Sequence, residues 1–153
     1  MIVYSDINLE PFLKLKNNEN LSFIYTEDYI FPNEIENKTV LFIFSDYFRV
    51  YSENNFKKII HLVDNASVKN QVYLVADLFY NSYVFSTKYL SINSKINNND
   101  YNLELGYYSQ FPFNKSGSVK IQNLITLITN KTKNPLIKSI FVDLDNTLIP
   151  GVW

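Results

Sequence analysis

The chain alternates short runs of β-branched, aromatic and aliphatic residues with longer stretches whose apolar positions recur every three or four residues. That rhythm predicts βα units around a parallel sheet. IVYS (2–5), LSFIYT (21–26), VLFIFS (40–45) and VYLVA (72–76) read as strands, with IKSIFV (137–142) as a last one. VLFIFS is apolar at nearly every position, as a strand buried on both faces requires. A helix is expected from about Leu9, with Asn8 as N-cap and Pro11 in the first turn, fading in the Asn-rich stretch 17–20. The Pro and polar content of 27–38 predicts a loop. Ser52 is placed to cap a second helix, with Phe56, Ile59, Ile60 and Val63 on its buried face. Ser118 is placed to open a third, with Ile121, Leu124, Ile125 and Ile128 as its stripe and Lys131, Lys133 and Asn134-Pro135 as its stop. Between them, 79–115 shows no clear period, and NSKINNND (93–100) reads as a surface loop. The expected fold is a three-layer α/β/α arrangement with a mostly parallel sheet of about five strands, in the flavodoxin-like order 2-1-3-4-5.

With 153 residues, 46% of them hydrophobic, the chain is long enough to bury a core. A net charge of -1 and scattered basic residues, Arg49 being the sole arginine, give no electrostatic reason to bind nucleic acid. The absence of cysteine excludes disulfides, thiolate metal sites and cysteine nucleophiles. The start MIVYSDINLE lacks the basic n-region of a secretory signal, and no apolar run nears the roughly 18 residues of a membrane span. A cytoplasmic protein without a membrane partner is expected. Lys, Asn, Ile, Tyr and Phe are abundant in the manner of an AT-rich coding bias, so aromatic richness carries no functional weight.

Several strands end on an aspartate: IVYS on Asp6, VLFIFS on Asp46, VYLVA on Asp77 and the last on Asp143. In a parallel sheet these ends share one edge, where open α/β sheets hold ligands. Ser5, Asp6, Ser45, Asp46 and Asp77 therefore form a candidate strand-end rim, against the simpler reading that Asp leaves strands and caps helices well. A Ser-His-Asp hydrolase would use Ser5 or Ser45, but the sole histidine, His61, falls within the second expected helix with no acidic partner at a recognisable spacing. Gly106, Gly117 and Gly151 are too far apart for a glycine-rich phosphate loop.

The stretch SIFVDLDNTL (139–148) carries more specific chemistry. Alternation in an extended segment is expected to send Asp143 and Asp145 to the same side, where both carboxylates can face one phosphoryl group with a divalent cation between. One carboxylate attacks phosphorus; the other protonates the leaving oxygen and then activates water.

FVDLDNTL (141–148) resembles the first motif of the haloacid-dehalogenase superfamily. Together with YYSQFPFN (107–114) and the helix at 118–133, it is similar to the FkbH-like subgroup of phosphatases and glyceryl transferases. The resemblance implies an SGNH-hydrolase-like domain at 1–134 followed, over 135–153, by the first strand and motif of a haloacid-dehalogenase domain whose remainder lies further along a longer protein. It implies Asp143 as nucleophile and Mg²⁺ ligand, Asp145 as the acid/base that also offers its backbone carbonyl to Mg²⁺, and Thr147 as a phosphate-binding residue. It also implies loading of an acyl carrier protein, with a non-catalytic N-terminal domain. Two departures stand out. Ile149 and Pro150 precede Gly151 where the family has a Trp and paired glycines, and Ser5 precedes Asp6 where SGNH hydrolases have Asp-Ser and a late histidine. Two alternatives stay open: an interaction module docking a carrier protein or a polysaccharide-biosynthesis enzyme, and a degenerate esterase using Ser5.

Overall fold

A computed structural model describes residues 1–13, 20–26, 28–44, 53–75 and 90–133. The strands are β1 (Ile2–Ser5), β2 (Ser22–Tyr25), β3 (Thr39–Ile43), β4 (Gln71–Val75) and β5 (Leu90–Ile92), and the helices are α1 (Glu53–Lys69), α2 (Leu103–Ser109) and α3 (Lys115–Lys133). The five strands form one parallel sheet in the order β2-β1-β3-β4-β5. The expected class, direction and order are those observed. The outer strand is a different segment from the one expected, since Leu90–Ile92 comes from the stretch without a readable period. Three residues at a half-solvated sheet margin are too few to display a period of two. IKSIFV lies outside the described residues.

Alternation along the central strands feeds two cores. On one face, Tyr4, Val40, Phe42, Phe44, Val72 and Leu74 pack against Ile59, Leu62, Val63 and Ala66 of α1. Tyr4 sits among Phe31, Phe42 and Phe44 at ring-centroid distances of 5.8, 5.2 and 6.0 Å. On the other face, Val3, Leu41, Ile43, Tyr73 and Val75 pack against Ile121, Leu124, Ile125 and Ile128 of α3, joined by Phe111 and Phe113.

The expected α3 stripe is the buried one, while the start of the helix is corrected. α3 begins at Lys115, and its N-cap is Asn114, whose Oδ1 accepts the Gly117 N–H at 3.1 Å. Ser118 lies inside the first turn, where its hydroxyl donates back to the Asn114 carbonyl at 2.8 Å. On α1, Ile59 and Val63 are buried as expected and Ile60 is half-buried. Ser52 and the side chain of Phe56 lie outside what the structure describes.

The expected first helix is also corrected. Its described part is a 3-10 turn, Glu10–Phe12, after which Leu13 is extended; Leu9 occupies the cap position and no side chain caps it. Asn8 instead donates its backbone N–H to the Gln110 carbonyl at 3.2 Å. Burial of Leu9 and Leu13 against the α3 face holds this segment without a regular helix. Segment 28–38 is irregular, as its composition predicts.

Candidate functional site

The segment following β1 crosses on the α3 face, whereas 28–38 and α1 cross on the opposite face. The connections therefore diverge between β1 and β3, and the carboxyl ends of those strands form the topological switch point at which open α/β sheets bind ligands. Ser5 and Asp6 stand there, 2% and 7% exposed. The Ser5 hydroxyl donates to the Ile43 carbonyl at 2.8 Å and accepts the Ile7 N–H at 3.0 Å. Both functions of the hydroxyl are spent on backbone: it ties β1 to β3 and turns the chain after β1.

A nucleophilic serine needs a base within hydrogen-bond reach. Alternation places Ser5 with Val3 on the α3 side of the sheet, while His61 sits on the exposed side of α1, across the sheet. The His61 ring is linked to Asn65, with Nε2 3.1 Å from Nδ2. Ser5 and His61 are not brought together. Ser45, Asp46, Asp77, Asp143, Asp145 and Thr147 lie outside the described residues. No group of three or more His, Cys, Asp or Glu capable of holding a metal occurs among the described residues.

Two features escape sequence reasoning. The first is a buried polar anchor inside the stretch expected to be a surface loop. Ser94 and Asp100 are buried there, and Asp100 completes a capping box with Asn97 at the 3-10 turn Asn98–Asp100. The Asp100 carboxylate also accepts Ser116 Oγ at 2.7 Å and Lys120 Nζ at 2.5 Å, pinning the start of α3. The Lys120 ammonium, the Asn97 N–H and the Ser116 hydroxyl together hold its carboxyl down at about 2. Asn97-x-x-Asp100 was the available signal, hidden by four neighbouring asparagine and serine positions of similar character. Gly117 completes the junction: a Cβ there would lie 2.5 Å from the Asp100 carbonyl oxygen.

The second is a cleft of about 540 Å³ between residues 28–35 and α1. Asn70 closes one end: its Nδ2 donates to the carbonyls of Ile35 and Ala66 at 2.9 and 3.1 Å, and its Oδ1 accepts the Lys38 N–H at 3.0 Å. Lys69 pairs with Glu36 beside it. Tyr4 anchors the other wall by donating its hydroxyl to the Ile30 carbonyl at 2.8 Å. Burial pushes the Tyr4 phenol up to about 12.

Fold and switch point define a small, doubly wound α/β domain. Comparison with protein-family models, curated proteins and solved structures finds no match to the chain. No helix among the described residues is long and apolar enough to cross a membrane.

Proposed function

We propose that residues 1–134 act as a non-hydrolytic α/β platform in a cytoplasmic, FkbH-like protein whose phosphoryl chemistry centres on Asp143 and Asp145. The observation that carries the first half is the Ser5 hydroxyl, spent on the Ile43 carbonyl and the Ile7 N–H and separated by the sheet from the sole histidine. That engagement weighs against an esterase reading that uses Ser5. The second half rests on the sequence: a strand-like SIFV run leads into two carboxylates one residue apart, followed by Thr147.

On this reading Asp143 attacks phosphorus, Asp145 protonates the leaving oxygen and then takes a proton from water, and Thr147 hydrogen-bonds the phosphoryl oxygens. The Asp143 carboxylate and the Asp145 backbone carbonyl are hard oxygen donors that suit Mg²⁺, and two such donors leave most of its six positions to water, phosphate and other residues. Bound there, Mg²⁺ would neutralise charge on the transferring group. The reading also requires a lysine and further acidic residues to complete the site, and it makes an acyl carrier protein the acceptor of the processed unit.

The test is Mg²⁺-dependent phosphatase and glyceryl-transfer activity of the complete gene product. Asp143→Asn should reduce the rate by at least about a thousandfold, because it removes the nucleophile. An Asp143→Asn protein of undiminished activity would refute the assignment.

A second reading, docking of a carrier protein, draws on Tyr107 and Tyr108, which are 76% and 80% exposed on α2 and meet edge to face at 5.5 Å. Carrier binding that survives replacement of both tyrosines by serine would count against it.

A further inference from the structure

We infer that the cleft between residues 28–35 and α1 binds a small monocarboxylate with an apolar body. The cleft arises from the topology. The connection from β2 to β3 crosses the α1 face as an irregular segment where a crossover helix usually lies. A single irregular run of chain occupies less volume than a helix, so the layer beside α1 is left partly unfilled. The resulting volume, about 540 Å³, falls in the range of small-molecule sites.

The chemistry of the walls differs from end to end. Phe31, Ile35, Leu62 and Ala66 supply apolar surface. At the Asn70 end, the amide and the Lys69–Glu36 pair are already satisfied by protein. Toward the other end, Lys58 and His61 stand one turn apart on the same side of α1. Lys58 makes no ion pair among the described residues. Asn65 Nδ2 has only hydrogens to offer His61 Nε2, so in the neutral ring the proton resides on Nδ1. The Lys58 ammonium and the His61 Nδ1–H are thus two donors available to one carboxylate. Asp28, on the facing segment, is the only acidic side chain lining the cleft among the described residues, and it disfavours polyanions such as diphosphates. Tyr29, also in this wall, is held at φ 52°, a left-handed conformation that is unfavourable for an aromatic residue. Such strain persists only where surrounding packing enforces it, and the Tyr29 ring packs 6.0 Å from that of Phe44.

Titration of the isotope-labelled chain with octanoate, octanol and inorganic phosphate, followed by amide chemical shifts, tests the inference. Octanoate should give saturable shifts concentrated at 28–35 and 58–70. Lys58→Gln, an exposed substitution, should weaken octanoate about tenfold through loss of a charge-assisted hydrogen bond. Unchanged α3 amide shifts would confirm that this variant is folded, and Lys131→Gln on the far face should bind as the parent does. Absence of saturable octanoate shifts, equal affinity in Lys58→Gln, octanol binding as tight as octanoate, or equal competition by phosphate would each overturn it.

Discussion

On the α3 face of the sheet, a regular helix lays Ile121, Ile125 and Ile128 against the strands, each no more than 1% exposed, and a buried carboxylate locks its first turn. On the α1 face, one helix shares the layer with the irregular segment 28–38, and a cleft of about 540 Å³ opens between them. Both faces bury large side chains from the same strands, so the difference does not lie in the sheet. It lies in what covers the strands: beside α3, the buried side chains of Ile7, Leu9, Leu13, Phe111 and Phe113 fill the layer, while beside α1 the irregular segment 28–38 leaves part of it open. The contrast separates a face built for stability from one with room for a ligand.

Truncation tests this contrast most severely. Ile125→Ala should cost about 2–5 kcal/mol in chemical denaturation, because its surroundings are tightly packed. Phe31→Ala, in the half-buried wall of the cleft, should cost only about 1–2 kcal/mol despite deleting a larger side chain. Equal costs, or a larger one at Phe31, would remove the distinction between the faces.

A smaller effect is expected at the α3 junction. Gly117→Ala would set a methyl group 2.5 Å from the Asp100 carbonyl oxygen and 3.0 Å from Phe113 Cβ. Helix propensity favours the change, but the backbone oxygen cannot yield without moving the 3-10 turn, so a net loss of about 1–3 kcal/mol is predicted. A stabilised variant would show that the junction is looser than its geometry.

The faces should also part company in their pH dependence. Asp100 titrates from 3.8 when unfolded to about 2 when folded, so its contribution is complete above the unfolded value and is lost as pH falls from about 4 through about 2. Tyr4 is raised from 10.0 to about 12, so its contribution is complete below pH 10 and is lost as pH rises toward 12. Asp100→Asn should flatten the acid limb of the stability profile alone, and Tyr4→Phe the alkaline limb alone. A variant that alters the opposite limb would contradict these assignments.

Where burial was strong and segments were long, the sequence was readable. VLFI fell in the central strand β3 and the α3 stripe followed from the spacing of its apolar residues, while on α1 Ile59 and Val63 were placed and Leu62 and Ala66 were missed. The first crossover misled because Asn8 and Pro11 imitate a helix start, whereas Leu9 and Leu13 gain their burial from a short turn. β5 and the Asp100 anchor were hidden for another reason: one is three residues long, and the other is a single acid among asparagines. At the candidate site, the edge position of Ser5 and Asp6 was legible from the strand pattern. The engagement of the Ser5 hydroxyl was not, since it depends on the Ile43 carbonyl 38 residues away.

The division of labour between Ser5 and Asp143 is the central claim, and one paired measurement addresses it: stability and Mg²⁺-dependent phosphatase rate of the complete gene product carrying either Ser5→Ala or Asp143→Asn. Ser5→Ala should lower stability by about 1–3 kcal/mol, because a buried N–H and a buried carbonyl lose their partner, while the rate per folded molecule is unchanged. Asp143→Asn should abolish the rate. A Ser5→Ala protein that is fully stable but inactive, together with an active Asp143→Asn protein, would reverse the two roles and contradict the account.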